Sequence, residues 1–361
     1  MVQDKIGIGF IGTGFARKVQ MPAFAACGGA RLVSVSSGTK ENAAAAASEF
    51  GIEHASGDWR ETASHPDVDL IVITTPPIHH LEMAVAAIDA GKHILAEKPM
   101  AMNTAEAETM RDAAALRPIM ALIDHELRFQ PGRQLAFAML RDGAIGRVRH
   151  AKAIFQAPHR GDPTLPWNWW SDKAQGGGAL GAIVSHVIDS FHWFLGVDIT
   201  SVSCQLHSNI KERMAPDGEI RPVTSDDEAM MLLRFADGEL TDDATGLVSV
   251  SMTEGPEYRN RMEFYGAEGV LRIDHRGEVL VCRNGEHEWS SVTTDIGSPI
   301  AGVPDTGFAR AFHFFAPILV ATLLRGERVV KDAATFDDGV RVQRVLDACR
   351  VSDSESQSVF L

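Results

Sequence analysis

Three short segments of this chain carry residue types suited to holding a phosphate, moving a proton and meeting a hydroxyl. The first is Gly12-Thr13-Gly14-Phe15-Ala16, directly after the apolar run Ile6–Ile11. The first glycine allows a tight turn, the second lets backbone approach a pyrophosphate, and the helix that follows offers free N–H groups and a partial positive charge. The position after Ala16 is usually small in such a turn. Here it is Arg17, so Ala16 is expected to make the small contact and the helix to pack differently. The second segment is Glu97-Lys98-Pro99, after the apolar run 93–96. A lysine near a bound cation, and partly buried, can have its pKa lowered enough to exchange a proton with a hydroxyl. The third is His186, on a stretch whose apolar residues Leu180, Ile183, Val184, Val187, Ile188, Phe191 and Phe194 recur at helical spacing. A histidine there is either a satisfied core residue or a proton-handling group. Asp189, three residues on, either assists it or accepts a structural hydrogen bond.

The elements around these segments fix where they lie. Short β-rich runs at 6–11, 31–36, 70–74, 93–96 and 119–123 alternate with helix-like stretches at 15–27, 41–50, 81–90 and 104–116. That alternation predicts a doubly wound parallel sheet over residues 1–124, an α/β dinucleotide-binding domain. The carboxyl ends of its strands form the ligand edge. Gly12–Gly14, Thr75-Pro76 and Glu97-Lys98 all fall there. His80, just beyond Thr75-Pro76, is either a cofactor neighbour or helix-start polarity. His79 and His80, being adjacent, do not suit a metal, and none is expected. The second strand ends in Ser36-Ser37-Gly38-Thr39-Lys40, with no acid to bind a ribose 2′-hydroxyl. Ser37, Thr39 and Lys40 suit a 2′-phosphate, so the expected cofactor is NAD(P), with NADP favoured and use of both open. The other reading of Lys40 is a solvated charge at a helix entry.

After about residue 125 the pattern changes. Residues 125–361 are read as an α+β domain with a helix near 132–142, strands at 147–157, 199–207, 229–235, 246–253, 261–265, 269–274 and 278–283, and a helix over 179–195. Helices near 305–325 and 335–350 close it, and the polar stretch 352–358 is expected to fray. Long strands with few helices imply an open, mainly antiparallel sheet backed by helices on one face, with self-association covering the other.

Composition narrows the function classes. With 361 residues, 45% hydrophobic and 23% charged, the chain suits two globular domains. A formal charge of −14 argues against a nucleic-acid binder. No secretory leader is legible and no run of 18 apolar residues predicts a membrane span. Cys27, Cys204, Cys282 and Cys349 form no CxxC pair, and read as reduced thiols of a cytoplasmic protein.

Gly12-Thr13-Gly14-Phe15, Thr75-Pro76, Ala96-Glu97-Lys98-Pro99, Arg128-Phe129, and Gly176-Gly177-Gly178-Ala179-Leu180 with His186 and Asp189 resemble, in order and over nearly the whole chain, the Gfo/Idh/MocA oxidoreductases. The resemblance implies a Rossmann domain, an open-faced sheet domain forming homodimers or homotetramers, and hydride transfer between nicotinamide and a sugar, polyol or cyclitol carbon. It places Lys98 and His186 around the reacting hydroxyl, with Arg128 near the substrate. Trp167, in Trp167-Asn168-Trp169-Trp170, could stack on a sugar ring and Asp172 could bind hydroxyls, unless these serve packing. His125, Gln156, His159 and Arg160 are further polar candidates. Three positions depart from the family pattern: Ala182 stands where an aspartate is usual, Val184 where a glycine is, and Glu126 where an asparagine often is. The missing aspartate implies either a substrate unlike inositol-like polyols, for which Lys98 with His186 suffices, or a sensor that binds cofactor and sugar without turnover; a redox-neutral glycosidase of the same architecture is a separate reading.

Overall fold

A computed structural model of the chain describes residues 4–292, 294–298, 300 and 302–361. The chain divides into two compact units, residues 1–130 with 297–340, and residues 131–296 with 341–361.

The first unit is built on six parallel strands: β1 (Ile6–Ile11), β2 (Ala30–Ser36), β3 (His54–Ser56), β4 (Leu70–Ile73), β5 (His93–Ala96) and β6 (Ala121–Ile123), in the order β3-β2-β1-β4-β5-β6. Strands β1 and β4 are buried along their whole length, as expected where both faces of a parallel sheet are covered. One face is covered by α1 (Met21–Ala25) and α2 (Lys40–Phe50), the other by α3 (Trp59–Ala63), α4 (His80–Asp89) and α5 (Thr104–Ala115). Asn103 caps α5 by accepting the Glu106 N–H at 3.0 Å, the predicted start of that helix. The chain order reverses between β1 and β4, and ligands of open α/β sheets bind at such a switch point.

The sequence pattern alone assigns everything after residue 124 to the second domain. Residues 297–340 instead return to the first unit. Their helix, later in the chain, is Gly307–Leu324, long and apolar enough by length and composition to cross a membrane. Its apolar side chains are spent on the core instead. Phe312 lies 5.4 Å from Phe24, and Phe315 stacks on Phe129 at 4.4 Å between ring centres. Hydrophobic periodicity marks a helix but not the surface it buries against, so this docking is invisible in the sequence.

The second unit holds α6 (Pro131–Arg141), α7 (Ser185–Leu195) and a nine-stranded sheet. Its strands are β7 (Val148–Gln156), β8 (Ile199–His207), then after the small hairpin β9 (Glu212–Met214) and β10 (Ile220–Pro222), β11 (Glu228–Phe235), β12 (Thr241–Ser251), β13 (Arg259–Gly266), β14 (Gly269–Ile273), β15 (Val279–Arg283), β16 (Ser290–Val292) and β17 (Val359–Phe360). All neighbouring pairs are antiparallel except β12 with β7. Side chains of β11 alternate buried and exposed. The buried set faces α7, where Phe191 meets Phe235 and Phe194 meets Phe264. The other face shows Met230, Leu232 and Leu247 to solvent. The long helix Gly307–Leu324 is α8, and α9 (Phe336–Glu355) follows it.

The polar tail does not fray. Residues to Glu355 are helical, Ser352 Oγ accepts the Cys204 N–H at 2.8 Å and donates to the Gln357 carbonyl at 2.6 Å, and Val359 pairs with Val202 on β8. Serines there act as backbone partners, which composition does not reveal.

Candidate active site

In the first unit, the ends of β1, β2, β4 and β5 bring the predicted binding residues to one edge. The Gly12 N–H donates to the Ser36 carbonyl at 2.8 Å, and the Thr74 N–H donates to the Ile11 carbonyl at 2.8 Å. Gly12 has φ +103°, and a Cβ there would lie 2.7 Å from the Thr74 backbone. Only glycine fits this conformation and this approach. At Gly14 an added Cβ would meet no described atom within 4 Å. The turn is therefore tight on its sheet side and open toward solvent, the shape a pyrophosphate needs. Thr13 Oγ1 lies 3.3 Å from Ser37 Oγ, joining the turn to the end of β2.

Arg17 is accommodated by a π-helical turn over Ala16–Gln20. The turn buries Ala16, Val19 and Gln20 and leaves Arg17 outside, where its Nε meets Glu49 at 2.5 Å. Phe15 packs against the core. Thr39 accepts the Asn42 N–H at 3.3 Å and so caps α2, while Lys40 is exposed.

His80 is fully buried. Its Nε2 lies 2.9 Å from the Thr75 carbonyl, and its Nδ1 lies 3.1 Å from the Pro99 carbonyl and 3.3 Å from that of Met100. Burial pushes its pKa down, while the carbonyls around both ring nitrogens push it up. Its ring ties the Thr75-Pro76 loop to the Lys98-Pro99 loop. Glu97 and Lys98 follow β5, the Lys98–Pro99 peptide is cis, and both side chains are half-buried.

Beneath Lys98 lies a group that motif reading misses. Gln20 Nε2 donates to Glu97 Oε1 at 3.0 Å and to Asp124 Oδ2 at 2.7 Å. Burial pushes the Glu97 carboxyl up, against the pull of Lys98. Burial, then the charges of Glu126 and Glu97, push Asp124 well above the usual carboxylate range. Asp124 directly follows β6 at the same edge as Lys98, which is the sequence signal for it. Gln20 carries none, because the π-helical turn that aims it inward has no sequence mark. Arg128 pairs with Asp338 at 3.4 Å and donates to the Asp332 carbonyl at 3.4 Å. Burial favours a neutral Asp338, but the Arg128 charge and the Thr335 donors outweigh it and hold the carboxyl low.

In the second unit, the glycine run is held by Asp226, another residue without a motif. The Ala179 N–H donates to the Asp226 carbonyl at 2.9 Å and the Leu180 N–H to its Oδ2 at 2.6 Å. Gly178, at φ +116°, has no room for a side chain beside that carboxylate. A π-helical turn over Leu180–Val184 leads into α7. His186 and Asp189 are both buried on α7, where Ser190 Oγ donates to the His186 carbonyl at 2.6 Å.

Trp167 and Asp172 are engaged locally. The Trp167 indole N–H donates to the Pro222 carbonyl at 3.0 Å, with the Arg221 guanidinium 5.4 Å from its ring centre. Asp172 accepts from Ala174 N–H and Gln175 Nε2 at 3.0 Å each, and from Thr224 Oγ1 at 3.2 Å. The Gln175 bond leads in holding its carboxyl below the usual range. Arg160 lies 3.9 Å over the Trp170 ring.

Residues 6–125 match the oxidoreductase family NAD-binding Rossmann fold, and residues 134–272 match the GFO/IDH/MocA C-terminal domain. The chain is 31% identical over 381 residues to a levoglucosan dehydrogenase of Pseudarthrobacter phenanthrenivorans, covering 96% of this chain and 95% of that one. It is 33% identical over 204 residues to a 1,5-anhydro-D-fructose reductase of Ensifer adhaerens, covering 55% and 60%. A solved levoglucosan dehydrogenase in complex with NADH and L-sorbose superposes with a TM-score of 0.87 at 29% identity, covering 99% of each chain.

Proposed function

The chain belongs to the GFO/IDH/MocA oxidoreductase family, and from that premise we propose that its substrate is a cyclic sugar, with anhydropyranoses first among those to test, and that Lys98 handles the hydroxyl proton. The family's chemistry is hydride transfer between a nicotinamide cofactor and a sugar, polyol or cyclitol carbon. The observation that carries the proposal is the placement of Lys98 at the strand edge that also holds the Gly12–Gly14 turn and Thr75-Pro76.

The residues fit a dinucleotide. Gly12, Thr13, Gly14, Phe15 and Ala16 would hold the pyrophosphate, Thr75, Pro76 and His80 would shape the floor, and Glu97 and Lys98 would border the nicotinamide end. Bound nicotinamide supplies the hydride acceptor or donor. Lys98 takes the hydroxyl proton as the carbon is oxidised and returns it on reduction. Arg128, Trp167 and Asp172 act mainly by fixing local structure within their own units. We assign NADP as the preferred cofactor: β2 ends without an acid, and Ser37 and exposed Lys40 supply a donor and a charge to a 2′-phosphate. The open sheet face with Met230, Leu232 and Leu247 supports a homodimer or homotetramer. Four unpaired thiols suit a reducing, cytoplasmic setting.

The test is a panel of levoglucosan, 1,5-anhydro sugars, free aldoses and inositols with NAD+ and NADP+, read by absorbance of the reduced nicotinamide. Reduction of cofactor by a cyclic sugar is the expected result. Cleavage of a chromogenic glycoside without added cofactor, or tight cofactor binding with no turnover on any sugar, would replace the proposal with a hydrolase or a sensor.

A further inference from the structure

We infer that Glu97 and Asp124 hold a single proton between them, and that Asp124 is thereby a positioning residue for Lys98, keeping the carboxyl pair beside it at one negative charge. The inference rests on the assignment of Lys98 as the proton-handling group.

The geometry is that of two acids gathered around one donor. Gln20 Nε2 spans both, at 3.0 Å to Glu97 and 2.7 Å to Asp124, which brings the two carboxyls to one donor. Gln20 and Asp124 are both fully buried. Asp124 Oδ1 and Gln20 Oε1 have no hydrogen-bond partner among the described residues. An ionised Asp124 would leave a charged oxygen buried and bare, next to a second carboxylate. Two carboxyls so placed cannot both ionise cheaply, and sharing one proton relieves both costs. The charged groups facing the pair are Lys98 on the β5 edge and Glu126 after β6, and Glu126 adds a further negative field. That field, like burial, favours the protonated pair.

The consequence falls on Lys98. Its backbone N–H lies 3.3 Å from Glu97 Oε2, so the pair sits against the lysine's own peptide. A second full negative charge there would hold Lys98 as an ammonium and oppose its use as a base. With the proton shared, the lysine meets one delocalised charge, and the Gln20 amide keeps both acids in place.

The test uses infrared spectroscopy on the full chain at about pH 8, where Asp226, whose carboxyl titrates near 6, is ionised. A deuterium-sensitive C=O stretch of a protonated carboxylic acid is expected in the wild type. It should shift when aspartate or glutamate side chains carry carboxyl 13C, and vanish in Asp124→Asn. The labelled wild type decides the matter if the variant does not fold. Absence of the band in the wild type, or its survival in a folded Asp124→Asn, overturns the inference. A second readout is the pH at which kcat/KM rises on the Lys98 limb. In Asp124→Asn that pH should stay within about half a unit of wild type, whatever the rate, because the net charge of the pair is already minus one. A fall of about one unit or more would mean two carboxylates were ionised, and would refute the shared proton. The infrared result needs no turnover, so it stands apart from the assignment of Lys98 as the base.

Discussion

Asp226→Asn isolates the energetic cost of the carboxylate that anchors the glycine run. Burial raises the Asp226 pKa from its ordinary 3.8 to about 6, against the stabilising Leu180 N–H. Asparagine keeps an oxygen for that N–H at 2.6 Å but cannot ionise. Below pH 3.8 the acid is protonated in both folded and unfolded chains, and its ionisation costs the fold nothing. As pH rises, the unfolded chain ionises first and is favoured, until the folded carboxyl also ionises near pH 6. At about 1.36 kcal/mol per pH unit between the two values, the wild type loses about 3 kcal/mol relative to the variant across this window. The loss is complete above about pH 7 and absent below about pH 3.5. The assay is urea unfolding of both proteins at matched pH, followed by tryptophan fluorescence. Trp167, Trp169, Trp170, Trp193 and Trp289 lie in the unit that holds Asp226, and only Trp59 lies in the other. Other titrating groups are common to both proteins and cancel in the difference. A stability gap that does not change with pH, or one in which the wild type gains with rising pH, would refute the buried-carboxylate account.

Two substitutions test the cofactor edge. Gly12→Ala forces a side chain into φ +103° and against the Thr74 backbone at 2.7 Å. A strain of roughly 1–3 kcal/mol should weaken dinucleotide binding about tenfold or more, read by nicotinamide fluorescence titration. Lys40→Ala should weaken NADPH binding roughly fivefold and leave NADH nearly unchanged, and equal effects on the two would assign Lys40 to the solvated helix entry instead. His80→Ala leaves the Thr75 and Pro99 carbonyls without their buried partner, and should cost about 1–3 kcal/mol in chemical unfolding.

What the sequence makes legible is what local physics controls. Runs such as Leu70–Ile73 are apolar without interruption because both faces of β4 are covered, and Gly12 is glycine because the turn demands a positive φ. The motifs at Gly12, Thr75 and Lys98 therefore map onto one edge. Partnership is what stays hidden. Thr39, Asp172 and Trp167 look like ligand contacts by type, yet each spends its polar atoms on nearby backbone or side chains. Gln20, Asp124 and Asp226 look ordinary, yet they hold the lysine and glycine segments in place. For Gln20, Asp124 and Asp226 the deciding contact spans many residues of chain or depends on a π-helical turn, and neither leaves a periodic trace.

The central claim, that Lys98 moves the substrate proton, is tested most directly by Lys98→Ala, with steady-state kinetics on the best sugar of the panel and a cofactor titration of the same sample. The account predicts that kcat falls roughly 10²–10⁴-fold while the cofactor Kd stays within about threefold of wild type. A variant that binds cofactor and turns over at close to the wild-type rate would contradict it.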